Sequence, residues 1–181
     1  MRSIFMSTTF VLSLIQAASA LAIDAPETPR VLQPNEQVDY AAFASLTAKL
    51  QEFRAKRLIS MDQFSDLATQ DNAIILDTRS AAAFQAGHIN GAINLPFSDF
   101  TEEKLTQVLG DKNRPILIYC NNNFRDNAFP VARKSAPLAL NIPTFINLYG
   151  YGFKNIYELN DVVAMSDPRL EWVGLSLDDQ I

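Results

Sequence analysis

The run ILIYCNNNFRD, from Ile116 to Asp126, decides both the fold and the chemistry expected of this chain. Its first four residues are apolar or aromatic, which is typical of a buried strand in a parallel sheet. The strand signal ends at Cys120, the only cysteine in the chain. Because ligands of α/β proteins bind beyond the carboxyl ends of parallel strands, Cys120 stands where a functional residue is expected.

Two interpretations of Cys120 are open from the local sequence. A buried cysteine often acts only as a small apolar side chain. Against this, a loop of three asparagines is a poor core neighbourhood. Arg125 and a helix beginning near Asp126 would both favour a thiolate. The sequence therefore favours a reactive thiol, cradled by the backbone amides of residues 121–123 more than by their side chains.

Composition excludes several other classes of function. The 181 residues carry a formal charge of −5 without a dense run of Lys or Arg, so neither nucleic acid nor an anionic membrane is an expected partner. A single cysteine cannot form an intrachain disulfide, and in an exported protein it suggests a reactive thiol or intermolecular pairing. His88 is the only histidine, so no histidine cluster can hold a metal. No metal or cofactor is predicted.

The N-terminus has the pattern of a secretory signal peptide over residues 1–22. Arg2 is followed by a mostly apolar stretch and by the small residues of Ala18 to Ala22, which suit a cleavage site. The apolar stretch is too short and too rich in Ser and Thr for a membrane span. A periplasmic or secreted protein, with no membrane span after removal of the signal, is predicted.

The remaining chain divides into four predicted segments. Residues 23–39, with three prolines, form a linker, and residues 40–57 form an amphipathic helix with Phe43, Leu46, Leu50 and Phe53 on one face. A single domain covers 58–165, and a tail covers 166–181.

Strand and helix signals alternate along the domain. Ser60 begins a capping-box pattern, and Asp126 and Pro130 suit the first turn of a helix after the cysteine loop. Helices are predicted over 60–68, 80–85 and 101–109 and after 126, and strands over 73–76, 92–96, 116–119 and 156–159. This order predicts an α/β fold with a central, mostly parallel sheet flanked by helices.

From about Leu58 to Leu159, the chain resembles a single rhodanese-like domain. The run ILDTR at residues 75–79 is similar to an apolar strand that ends in Asp-x-Arg in that family. The run FQAGHINGAINLP at 84–96 is similar to the family's Gly-His-Ile-x-Gly-Ala segment. Cys120 and Arg125 resemble its Cys-x4-Arg loop, and residues 152–159 resemble its closing strand.

The resemblance implies the three-layer rhodanese-like fold and a sulfurtransferase activity. Cys120 would take a sulfur atom from a donor such as thiosulfate, hold it as a persulfide and pass it to cyanide or a thiol. Arg125 would hold an anionic donor. Residues expected to bind the substrate are Asn121, Asn122, Asn123, Phe124, Asp77 and Arg79. For Asp77 and Arg79 an ion pair at a strand end is an equal alternative.

Departures from the family pattern leave the donor open. The loop carries one cation and no glycine, and Phe124 is expected to make its rim apolar, which favours a protein or organic persulfide as donor over a small dianion. A second hypothesis is a non-catalytic binding or sulfur-relay module. A weaker hypothesis is a cysteine-dependent phosphatase. Such enzymes usually have a His directly before the cysteine and five residues between the cysteine and the arginine. Here Tyr119 precedes Cys120 and four residues intervene.

Overall fold

The computed structural model describes residues 37–175 of the chain, and from Asp39 onward these form one compact unit. The signal peptide predicted over 1–22, and most of the linker predicted over 23–39, lie outside the described residues. The elements are α1 (Tyr40–Ala55), β1 (Leu58–Ile59), α2 (Met61–Ala68), β2 (Ile74–Asp77), α3 (Ala81–Ala86), β3 (Gly87–Ile89), β4 (Ile93–Asn94), α4 (Glu102–Leu109), β5 (Ile116–Tyr119), α5 (Asn141–Gly150), β6 (Ile156–Leu159) and β7 (Trp172–Gly174).

The main sheet has five strands in the order β1-β6-β5-β2-β4. Each neighbouring pair is parallel. β5 lies at the centre, so its carboxyl end, where Cys120 follows, is flanked by the ends of β2 and β6. The prediction of an α/β fold with a parallel central sheet is confirmed.

Apolar side chains cover both faces of the sheet, which makes three layers. The first face carries Leu76, Ile118 and Ile156 and packs against α4 and α5, with Phe53 of α1 also in contact. The second face carries residues such as Leu117 and packs against α2 and the segment around 163–172. Strands that are buried on both sides read as continuous apolar runs, as the sequence of β5 does.

Several helix starts follow directly from local sequence. The Ser60 side chain accepts from the Gln63 backbone N–H and the Gln63 side chain accepts from the Ser60 N–H, so the predicted capping box is present at α2. Thr101 accepts from the Lys104 N–H and starts α4 in the same way. Within residues 37–175, no helix is both long and apolar enough to cross a bilayer.

Two expectations differ from the structure. The helix predicted after Asp126 is absent from that position, because Asp126 instead accepts the backbone N–H of Met165. The next helix, α5, begins at Asn141. The segment predicted as a tail contributes β7, which pairs with β3 in an antiparallel two-stranded sheet. Trp172 of β7 packs on Phe124 with their ring centres 5.2 Å apart, a long-range contact with no local sequence signal.

Candidate active site

Cys120 lies at the carboxyl end of the central strand with 1% of its surface exposed. In the short turn that follows, the Asn123 backbone N–H donates to the Cys120 carbonyl oxygen at 3.0 Å. The backbone N–H groups of Asn122, Asn141 and Leu140 are directed at the sulfur. Leu140 and Asn141 form the N-terminus of α5, where N–H groups lack partners within the helix. Two segments distant in sequence therefore build one cradle for negative charge on sulfur.

The electrostatic balance at this thiol differs from the sequence expectation. Burial raises the pKa of Cys120, the backbone N–H groups lower it, and the Glu158 carboxylate raises it further. The net pKa lies above the ordinary value, because loss of hydration outweighs the amide dipoles. The N–H groups at the start of α5 lower the pKa of Cys120, as expected of a helix N-terminus, and burial outweighs them.

The Asn123 side chain connects the segments of the cradle by hydrogen bonds. Its Oδ1 accepts from the Cys120 backbone N–H at 2.9 Å and from Asn141 Nδ2 at 3.1 Å. Its Nδ2 donates to the carbonyl oxygens of Leu159 at 2.7 Å and Asp161 at 3.1 Å. One buried amide thus joins the cysteine, α5 and the end of β6, so the Asn123 side chain matters here as much as the backbone amides.

Asn121 and Asn122 hold the segment that leads away from the loop. Asn121 Nδ2 donates to the carbonyl oxygen of Ala132, and Asn122 Nδ2 donates to that of Lys134, each at 2.7 Å. Asn122 Oδ1 also accepts the Lys134 backbone N–H. The buried Oδ1 of Asn121 has no hydrogen-bond partner within residues 37–175.

Phe124 and Arg125 are not placed as the sequence predicted. Phe124 is fully buried and meets Tyr119 and Trp172 edge-on, so its prediction as an apolar rim and substrate contact is corrected to a core role. Arg125 is exposed, and its Nε donates to the Val162 carbonyl oxygen at 3.1 Å. Within residues 37–175, the Arg125 guanidinium donates no hydrogen bond to the cysteine cradle.

Asp77 and Arg79 form a buried ion pair, the alternative that the sequence left open. Arg79 Nε and Nη2 both donate to the Asp77 carboxylate, at distances down to 2.6 Å. Arg79 also donates to the carbonyl oxygens of Gly87 and Pro130. The Tyr119 hydroxyl donates to Asp77 at 2.5 Å, and burial, followed by the Asp77 charge, raises the Tyr119 pKa well above its ordinary value. This network fixes the end of β2 beside β5.

The structure also brings side chains to the site that the sequence analysis missed. Glu158 of β6 is buried and receives two hydrogen bonds from Arg54 of α1, both 2.6 Å long. The buried hydroxyls of Thr78 and Thr144 lie 2.9 Å apart. A charged residue inside the short apolar strand 156–159 was the one local signal for Glu158. Among residues 37–175, no group of three or more His, Cys, Asp or Glu side chains is arranged to hold a metal ion.

The role of Asn123 predicts a loss of stability on truncation. We expect Asn123→Ala to lower the free energy of unfolding by about 2–3 kcal/mol, because one buried and one partly buried carbonyl and two donors lose their partner. The matched control is Asn122→Ala, whose side chain is only partly buried and should cost about 1 kcal/mol or less. Urea denaturation measures both, and equal losses would contradict the central role of Asn123.

Residues 60–161, more than half of the chain, match the family model described as the rhodanese-like domain. With the parallel sheet and the cysteine at the end of its central strand, this establishes that the chain belongs to the rhodanese-like domain family.

Curated relatives share part of their length with this chain. It is 28% identical over 105 residues to the uncharacterized protein BU052 of Buchnera aphidicola from Acyrthosiphon pisum, which covers 58% of this chain and 62% of that protein. It is 25% identical over 118 residues to a tRNA uridine(34) hydroxylase of Buchnera aphidicola from Baizongia pistaciae, covering 62% of this chain and 33% of the enzyme. The chain thus spans from about a third to under two thirds of these relatives.

Solved structures to which the chain is similar include the Alr3790 protein of Anabaena sp., with a TM-score of 0.45, 19% identity and coverage of 67% of this chain and 96% of that chain. They also include RDL2 of Saccharomyces cerevisiae, described as a single-domain sulfurtransferase, with a TM-score of 0.40, 12% identity and coverage of 57% and 81%.

Proposed function

We propose that the protein is a sulfurtransferase that carries a sulfane sulfur as a persulfide on Cys120. One observation carries this proposal: the single cysteine lies at the carboxyl end of the central strand and is surrounded by backbone N–H groups of the loop and of α5. Such groups stabilise a thiolate or persulfide anion when it forms. Membership of the rhodanese-like family supports the same assignment.

With thiosulfate as the donor, the chemistry has two steps. The Cys120 thiolate attacks the outer sulfur of thiosulfate, the sulfur–sulfur bond of the donor breaks, and sulfite leaves with the bonding electron pair. The terminal sulfur of the resulting persulfide is then attacked by cyanide or by an acceptor thiolate. The bond to the Cys120 sulfur breaks and its thiolate is restored, with thiocyanate or a new persulfide as product.

The proposed donors are sulfane-sulfur compounds, either a small anion such as thiosulfate or a persulfide on an organic molecule or a protein. Backbone N–H groups of the cradle would bind a small dianion, and the exposed Arg125, of which Nε alone donates to the Val162 carbonyl oxygen, would add a positive charge. The cysteine loop carries a single cation, Arg125. This supports a persulfide on an organic molecule or a protein, in preference to a small dianion, as the donor.

A second candidate, a sulfur-relay or binding module without rapid turnover, is supported by the burial of Cys120 and by its raised pKa. A buried thiol reacts slowly with free reagents, since the thiolate is the nucleophile. In this case a protein partner would supply or accept the sulfur.

Mass spectrometry of the intact protein tests the function. After incubation with thiosulfate or a low-molecular-weight persulfide, we expect a gain of one sulfur atom that cyanide removes, with thiocyanate released. Turnover of many equivalents with a small donor supports the enzyme. A single, stable equivalent supports the relay module. The absence of any added sulfur with every donor class would refute both.

We further propose that the protein is exported, with residues 1–22 acting as a cleaved signal peptide. The pattern of a basic residue, an apolar stretch and small residues supports this. N-terminal sequencing of the protein from fractionated cells of its source would give a start near residue 21 or 23. Retention of Met1 would contradict the proposal.

A further inference from the structure

Glu158 is placed to act on the sulfur of Cys120. It lies on β6, next to β5, and its register partner on β5 is Ile118. Cys120 has extended backbone angles, so its side chain emerges on the same face of the sheet as that of Ile118, two residues earlier. The Glu158 carboxylate and the Cys120 sulfur therefore lie on one face of adjacent strands.

The environment of Glu158 fixes the position of its charge. The residue is 4% exposed, so water screens it little. Two charge-assisted hydrogen bonds from Arg54 hold the carboxylate, and the positive charge of Arg54, whose side chain is 38% exposed, offsets part of the negative charge. Arg54 of α1 is thereby linked to the end of β6.

Other charged groups around the cradle are exposed or have partners of their own. On α4, Glu102, Glu103 and Lys104 are exposed, as are Arg133 and Lys134 on the segment that bonds to Asn122. The residues Asn141 and Thr144, which α5 places on this side, carry no charge. The remaining titratable groups nearby are Asp77, Arg79 and Tyr119 in their own network, and Arg125, Asp126 and Asp161, which bond to the backbone of Val162, Met165 and Met61.

We propose that Glu158, held by Arg54, is a positioning residue that opposes negative charge on the Cys120 sulfur and so keeps the resting protein in its unreactive thiol form. The raised pKa of Cys120, to which the Glu158 charge contributes, agrees with this role. The effect restrains the step in which the thiolate attacks the outer sulfur of the donor. Only this effect on the attack step rests on the proposed sulfurtransferase function.

The direct test is a pH titration of the ultraviolet absorbance of the thiolate in the full chain. Cys120 is the only cysteine, so subtracting the spectra of Cys120→Ser isolates its signal. We expect Glu158→Gln to lower the thiol pKa by about one unit or more. Glu158→Asp, which keeps the charge, should stay near the wild-type value. The matched control Glu102→Gln removes an exposed carboxylate that pairs with Lys112 and should not shift the pKa.

Loading with thiosulfate gives a second measurement. A drop of one pKa unit raises the thiolate fraction about tenfold at neutral pH and reduces its nucleophilicity, so we expect Glu158→Gln to load about threefold faster. Where Glu158→Gln does not fold, the double variant Arg54→Gln/Glu158→Gln removes both charges without leaving one unpaired, and its thiol pKa should also fall.

The possible outcomes distinguish the role of Glu158 from the proposed sulfurtransferase function. An unchanged thiol pKa in a folded Glu158→Gln or in the double variant would overturn the role of Glu158, whether or not sulfur is transferred. A lowered pKa supports that role. If the pKa falls but no variant takes up sulfur, the role of Glu158 stands and the sulfurtransferase function fails.

Discussion

Replacing Cys120 by Ser is expected to abolish sulfur loading and to reduce any transfer activity by at least about a thousandfold, since the nucleophile is lost. Serine fits the same space and can accept the same backbone N–H groups. The fold should therefore persist, with a melting temperature close to that of the wild type. Intact mass after treatment with donor, together with steady-state production of thiocyanate, measures the loss.

Cys120→Ala is the companion variant, because it removes the hydrogen-bond acceptor as well as the nucleophile. Asn113→Ala changes an exposed turn in which the side chain bonds only to Asp111, and it should leave activity at the wild-type level. Transfer that continues in both folded Cys120 variants would remove Cys120 from the mechanism and refute both the catalytic and the relay hypotheses.

Replacing Arg79 by Leu is expected to destabilise the protein by about 3–5 kcal/mol, because it leaves the buried Asp77 carboxylate without its counter-charge. The substitution also leaves the carbonyl oxygens of Gly87 and Pro130 without a donor. Urea denaturation followed by circular dichroism measures the effect. Arg79→Lys keeps the charge but not the planar fork that reaches all these acceptors, so an intermediate loss is expected.

The matched control for Arg79→Leu is Arg169→Leu. Arg169 also pairs with two carboxylates, Asp62 and Asp167, but its side chain is 41% exposed, and exposed ion pairs contribute little to stability. If Arg79→Leu costs no more than Arg169→Leu, the buried network does not stabilise the fold. If Arg79→Leu does not fold, Arg79→Lys must still lower the free energy of unfolding by more than Arg169→Leu does.

Local signals in the sequence predicted four of the five strands of the main sheet, and the two-residue edge strand β1 was not predicted. The apolar run before Cys120 and the capping box at Ser60 predicted β5 and α2, because both depend on nearby residues. The position of α5 was not predictable in this way. Asp126, which looked like the start of a helix, bonds across the fold to Met165.

The same distinction applies to the site. The position of Cys120 at a strand end was predictable, whereas the burial of Phe124 and the direction of Arg125 depend on packing against Trp172 and Val162. The partnership of Glu158 with Arg54 joins residues on α1 and β6. Only the folded chain brings these residues together, so no spacing rule could have indicated it.

The buried position of the single cysteine has a practical consequence for studying this protein's motions. A bulky thiol reagent cannot reach a side chain that is 1% exposed until the loop and the start of α5 separate. Its labelling rate therefore reports how often this end of the molecule opens, in the same way that amide exchange reports local opening. The native sequence thus carries its own probe of local unfolding at the position where the chemistry is proposed.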